Sequence, residues 1–205
     1  MLEVVTEELL NYQNNRLQVY QKGNQNIDKD ATIFVGDSII EFYPLKKYFG
    51  RNETIYNRGI AGIDTYFLEK HLEDYLYHLE AKRIFLLIGT NDLGLGHSIS
   101  DIKEKVIDIV SKLKIDNIYA EVNLISVLPV SDLEMFSKTV KVRSNDAIDQ
   151  LNSELEAIPG ITFIPIANHL KNDRNALNDY YTKDGLHLNV LGYDKLSQLL
   201  KPYLS

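Results

Sequence analysis

Five short β-rich segments alternate with longer stretches of helical periodicity along this chain, and that alternation leaves few folds open. The segments cover residues 32–35, 54–57, 83–88, 118–126 and 162–166. Such a rhythm marks βαβ units, whose strands lie parallel because each crossover helix carries the chain back to the same end of the sheet. Between the strands, Phe67, Leu68, Leu72, Tyr75, Leu76 and Leu79 form one helical stripe over 66–79. Ile102, Val106, Ile109, Val110 and Leu113 form a second. A third, Ala147, Ile148, Leu151, Leu155 and Ile158, is stopped by Pro159 and Gly160. The last helix is expected over 190–204, with Tyr193, Leu196, Leu200 and Tyr203 on one face and Asn189 as its cap.

A further helix is expected over 3–21, packed on the sheet, with a homodimer contact as its alternative role. No internal repeat, low-complexity tract or linker breaks the pattern. The 205 residues therefore read as one domain, residues 1–30 being an N-terminal helical extension.

Charge narrows the range of partners. Lys plus Arg number 22 against 29 Asp plus Glu, a net charge of −7. Nucleic acid and anionic membrane both call for a basic surface, so the expected partner is a small molecule, with neither nucleic-acid binding nor membrane insertion. There are no cysteines, which removes disulfides, thiolate metal sites and cysteine nucleophiles. The acidic, polar-interrupted start MLEVVTEELLNYQ is unlike a signal peptide, and the apolar run IFLLI is too short to cross a bilayer, so a cytoplasmic location is expected.

In an open parallel sheet, ligands bind beyond the carboxyl ends of the strands, near the point where strand order reverses. Ser38 follows the first strand in VGDS, Gly59 and Gly62 follow the second in NRGIAG, and Asn91 follows the third in IGTND. Each alone also reads as an ordinary strand-ending turn. A fourth signal, DGLHL at 184–188, precedes the last helix, where Asp184 and His187 also read singly as a cap and a surface residue. Taken together the four supply what acyl transfer requires. Ser38 needs an adjacent base, which His187 provides if the fold brings it close, and Asp184 can fix the imidazole tautomer. The charge that develops on the carbonyl oxygen needs rigid donors, for which the Ser38 and Gly62 N–H groups and the Asn91 amide are suited.

The blocks FVGDSI, NRGIAG, LLIGTND and DGLHLNVLGY, in this order from residue 34 to 193, resemble those of the SGNH (GDSL-type) hydrolases, most nearly the branch similar to platelet-activating-factor acetylhydrolase. The resemblance implies a three-layer α/β/α, flavodoxin-like fold with a five-stranded parallel sheet of order 2-1-3-4-5. It implies Ser38 as nucleophile, Asp184 and His187 as the rest of a triad, and Ser38, Gly62 and Asn91 as an oxyanion hole. It also implies a serine esterase using no metal or organic cofactor. One departure is visible: Ile63 separates Gly62 from Asp64-Thr65, which leaves open where the following helix starts.

Two other readings are open to the same residues. A receiver domain on the same fold would use Asp92 as phosphoacceptor, but no lysine follows the fifth strand closely. A non-catalytic small-molecule or carbohydrate-binding module should have lost Ser38, Asn91 or His187, and all three are present. Asp37 is expected to hold the serine turn through backbone hydrogen bonds. Arg58, read as exposed, and His97 are the candidate substrate contacts, while His71, His78 and His169 read as solvated or structural. Specificity is assigned to loops 93–99 and 129–142, the second a candidate lid. There Leu93, Leu95, Leu133, Met135 and Phe136 suggest an apolar wall.

Overall fold

The computed structural model describes residues 1–76 and 79–204, with the side chain of Tyr75 left aside; the readings placed on Tyr75 and His78 therefore lie outside the described residues. Five strands form one parallel sheet: β1 (Thr32–Gly36), β2 (Ile55–Gly59), β3 (Arg83–Leu87), β4 (Glu121–Ile125) and β5 (Thr162–Ile164). Their order is β2-β1-β3-β4-β5, as expected. Interleaved with them run α1 (Glu7–Gly23), α2 (Ser38–Glu41), α3 (Leu45–Phe49), α4 (Thr65–Leu76), α5 (Thr90–Leu95), α6 (Ile99–Asp116), α7 (Ser137–Val140), α8 (Asn145–Glu156) and α9 (Val190–Leu200).

The central strands β1, β3 and β4 are buried on both faces along almost their whole length, as parallel strands must be when crossover helices cover each side. Alternation then sends successive side chains to opposite layers. Ile33, Val35, Ile84 and Leu86 enter one apolar cluster with residues of α1, α4, α6 and α8. Phe34, Phe85 and Leu87 enter the other with α2, α3 and α9, and the Phe34 and Phe85 rings stack with centroids 4.7 Å apart. Among the described residues no helix is long and apolar enough to cross a membrane.

Element ends differ from expectation for local reasons. Helix α1 begins at Glu7, because Thr6 is extended and its hydroxyl accepts the Leu9 N–H at 3.2 Å. Strand β4 begins at Glu121, not 118. Helix α6 runs on to Asp116, and Ile118 and Tyr119 fall in the short connection, 70% and 90% exposed despite their apolar character. Strand β5 stops at Ile164, before Pro165, which has no N–H to donate to a ladder. Helix α9 ends at Leu200, and Lys201–Tyr203 form a single tighter turn containing Pro202. The stretch 129–142 begins without regular structure and then forms a 3₁₀ turn, Glu134–Phe136, running into α7.

What positions the rim is the register. Gly36 at the end of β1 pairs with Gly59 of β2 and with Leu87 of β3, so three strand ends finish level. The turn after β1 then lies directly against β2. A side chain on Gly59 would place its Cβ 2.2 Å from the Glu41 backbone nitrogen and 2.7 Å from its Cα. Gly59→Ala should therefore push α2 off β2 and lower stability by about 1–3 kcal/mol, read as a fall in the urea midpoint. An unchanged midpoint would contradict this close approach.

Candidate active site

Strand β1 delivers the chain at Gly36 straight into Asp37, which caps α2 by accepting the Ile39 N–H at 2.9 Å. Ser38 is thus the first residue of a short helix, 6% exposed, and its N–H is among those a helix leaves without an internal partner. The Ser38 hydroxyl lies 3.0 Å from His187 Nε2. On the far side of the imidazole, Nδ1 is 2.8 Å from Asp184 Oδ2. A carboxylate can only accept, so Nδ1 carries the proton and Nε2 is left to accept from Ser38. The structure brings the three residues into one hydrogen-bonded line across 149 positions of sequence.

The Asp184–His187 turn is fixed from within. Asp184 Oδ1 accepts the N–H groups of Leu186 and His187, at 3.1 and 2.7 Å. Burial works to raise the Asp184 carboxyl, but the hydrogen bonds from His187 outweigh it and hold the group below its ordinary value. Thr182, which sequence reasoning passed over, closes the turn: its hydroxyl accepts from Gly185 at 2.8 Å and donates to the His187 carbonyl at 2.8 Å. Its place two residues before Asp184 was the available signal, since Ser and Thr hydroxyls commonly bond the backbone at turns. Helix α9 then ties this turn to α2, with Tyr193 donating to the Ile39 carbonyl at 2.8 Å. Phe136 lies over Gly185, at 2.5 Å from where a Cβ would stand, so the 129–142 stretch is packed on the histidine turn.

Gly62 lies in the turn before α4, and Asn91 is the second residue of α5. Gly62 has φ +76°, a left-handed conformation that glycine adopts without penalty. The Asn91 amide donates to the Ile63 carbonyl at 2.9 Å, beside Gly62, and its oxygen accepts from Arg143 at 3.2 Å. Ile63, the residue that broke the expected pattern, is fully buried in the core. Helix α4 then starts at Thr65, whose N–H and hydroxyl both bind the Asp92 carboxylate. Asp92 is thereby a buried clamp between two loops, pushed up to about 6 by burial, against the opposing Thr65 hydroxyl bond.

Arg58 is a correction. Expected at the surface, it is 6% exposed, bonded to Asn24 Oδ1 through Nε and Nη2 at 3.2 and 2.8 Å, and packed on the Tyr20 ring. Helix α1 covers β2, and a sequence pattern does not reveal that cover. His97 pairs with Asp64 at 3.4 Å and stacks on Tyr66. Leu93 is buried in the core and so cannot form part of an open wall, whereas Met135 is 76% exposed and Phe42 lies 5.8 Å from the His187 ring. His71 pairs with Asp74 at 2.7 Å, and His169 lies exposed in a 3₁₀ turn, Ala167–Leu170. Among the described residues, Asp64, Asp92 and His97 bring three potential metal-ligand atoms within 4.8 Å, but both Asp92 oxygens already accept from Thr65.

Level strand ends, a serine opening a helix after β1 and a histidine–aspartate turn before α9 define the class, an α/β protein of the SGNH hydrolase type. The comparisons narrow it further: residues 34–195 match the GDSL-like lipase/acylhydrolase family, and the chain belongs to it. The solved structure of "a putative platelet activating factor" from Streptococcus pneumonia is 36% identical, covering 97% of this chain and 95% of that one, with a TM-score of 0.91. A GDSL-like lipase from Bacteroides thetaiotaomicron shares the fold at 22% identity, covering 92% of this chain and 96% of that one, with a TM-score of 0.78. An N-acylneuraminate cytidylyltransferase of Escherichia coli O18:K1:H7 is 31% identical over 196 residues; the match takes in 90% of this chain but only 43% of that protein.

Asp37 yields a test of the site's electrostatics. It is wholly buried, and its Oδ2 has no hydrogen-bond partner among the described residues. Burial, partly offset by the Ile39 N–H, pushes its carboxyl up from 3.8 to about 7. A carboxyl raised on folding binds its proton more tightly in the native state, so it penalises stability increasingly as pH rises from about 4 to about 7. Asp37→Asn keeps the cap acceptor without the charge. Relative to wild type it should gain on the order of 2 kcal/mol between pH 5 and pH 8, measured by urea unfolding of both proteins. A stability difference independent of pH would refute the assignment.

Proposed function

We propose that the protein is a serine acylhydrolase that cleaves a carboxylic ester of a small or short-chain acyl group through an acyl-enzyme on Ser38. The observation that carries this reading is the line Ser38–His187–Asp184, with contacts of 3.0 and 2.8 Å. In the first half-reaction Ser38 Oγ attacks the ester carbonyl carbon while its proton passes to His187 Nε2. The carbonyl oxygen becomes an oxyanion, for which the Ser38 and Gly62 N–H groups and the Asn91 amide are the donors. The C–O bond to the alcohol then breaks, and His187 returns the proton to the departing oxygen. Water repeats the sequence on the acyl-enzyme, releasing the acid and restoring the serine. Asp184 remains charged throughout, holding the imidazole tautomer and stabilising its protonated form.

Acetyl esters of acidic sugars are the first substrates to test. The matched Escherichia coli protein is named for an N-acylneuraminate, a polyhydroxylated sugar acid whose hydroxyls can carry acetyl groups. The family that matches is one of lipases and acylhydrolases, a class whose chemistry suits the cleavage of such an ester. A panel of p-nitrophenyl acetate, butyrate and octanoate with O-acetylated N-acylneuraminates should give its highest kcat/KM on an acetyl ester. A preference for octanoate would overturn the short-acyl reading.

An organophosphate should add one adduct mass, located on the peptide carrying Ser38, and abolish turnover. Labelling elsewhere with activity intact would overturn Ser38 as the nucleophile. Asn91→Ala should lower kcat by roughly 10²–10³ with little change in KM, since its donor is needed most in the transition state. A raised KM at constant kcat would mean the amide only binds ground-state substrate.

A further inference from the structure

An asparagine amide serves an oxyanion only with its nitrogen turned toward it, and oxygen and nitrogen are nearly the same size. Something must hold the orientation. Asn91 Oδ1 accepts from Arg143 Nη2 at 3.2 Å, while Asn91 Nδ2 donates to the Ile63 carbonyl at 2.9 Å. Flipping the amide would set oxygen against oxygen at Ile63 and NH₂ against a guanidinium, losing both bonds at once.

Arg143 is itself fixed. Its side chain is fully buried, with Nε donating to the Thr90 carbonyl at 2.7 Å and Nη1 to the Val140 carbonyl at 3.3 Å. A buried guanidinium requires a countercharge, and a remote part of the chain supplies it: Glu3 Oε2 lies 2.5 Å from Arg143 Nη2. The Glu3 N–H also donates to the Gly94 carbonyl at 2.8 Å, so this arm is tied to α5, the helix that bears Asn91. The next part of the chain braces the second oxyanion loop. Leu9 methyl groups stand 2.9 and 3.0 Å from where a Cβ on Gly62 would be, and Gln13 donates to the Ala61 carbonyl at 3.3 Å. Glu41, paired with Arg16 of α1, accepts the Ala61 N–H at 2.5 Å.

We propose that Glu3 and Arg143 are positioning residues that hold the Asn91 amide in its donating orientation, so that a segment preceding the matched family region tunes the reaction. The inference rests on the acylhydrolase reading above and adds to it. Neither side chain has to touch substrate; Arg143 acts through Asn91, and Glu3 acts through Arg143.

The test is a double-mutant cycle on p-nitrophenyl acetate hydrolysis. Glu3→Ala and Arg143→Met should each lower kcat, by about tenfold or more, with KM nearly unchanged, and Glu3→Gln, which keeps an acceptor, should recover part of the Glu3 loss. In the Asn91→Ala background the same substitutions should cost almost nothing, because the group they position is gone. Losses that multiply in that background would overturn the proposal and assign the pair a general structural role. Should Arg143→Met not fold, the Glu3 arm of the cycle decides alone, with thermal midpoints confirming that each variant is native at assay temperature. If Asn91→Ala by itself leaves kcat intact, the oxyanion reading has failed; if Asn91→Ala is slow but the losses multiply, only the positioning inference has.

Discussion

Everything at the rim depends on β1 being paired in parallel on both sides, with Gly36 level with Gly59 and Leu87. Parallel pairing points all strands the same way, so the chain leaves β1, β2 and β3 at one edge. The strand order reverses at β1, and in open parallel sheets that is the edge at which ligands bind. Ser38, Gly62 and Asn91 stand two, three and four residues beyond those level ends. Their convergence is a consequence of register more than of any local motif.

The histidine arrives by another route. It precedes α9, and that helix is held to α2 by the Tyr193 bond to Ile39, at 2.8 Å, and to the turn after α2 by Tyr43 with Ser197, at 2.6 Å. These polar contacts sit inside the apolar layer formed by α2, α3 and α9, where a satisfied hydrogen bond is costly to break and therefore specifies a single docking position. Ser38 and His187 are thus set against each other by the packing of one layer. The turn bearing Gly62 and the start of α5 bearing Asn91 are braced from the opposite side, by α1 and the arm before it. The Ser38–His187–Asp184 line thus lies where both layers of helices meet, and the hydrogen-bonded groups around it reach from Glu3 to His187.

Much of this could be read from the chain alone. The spacing of apolar residues fixes five strands and the main helices, because burial on both faces of a parallel sheet and on one face of each helix leaves a periodic trace. Ser38, Gly62, Asn91, Asp184 and His187 were visible because each sits where a strand ends or a helix begins, and because their residue types suit one chemistry. Element ends were less legible: Ile118 and Tyr119 have strand-like character but lie exposed, since the length of α6, and not propensity, decided where β4 could start.

Only the tertiary structure decided the supporting cast. Arg58 reads like any surface arginine, yet α1 covers it and Asn24 binds it. Arg143 carries no motif, but a bond to an amide 52 residues away and an ion pair 140 residues away make it the centre of a buried network. Leu93, which looks like pocket lining, is core. Sequence determines what each residue can do, because periodicity and turn chemistry act between near neighbours. Which residue meets which across 50 or 140 positions follows from the packing of separate elements, and that information resides in no local stretch of the chain.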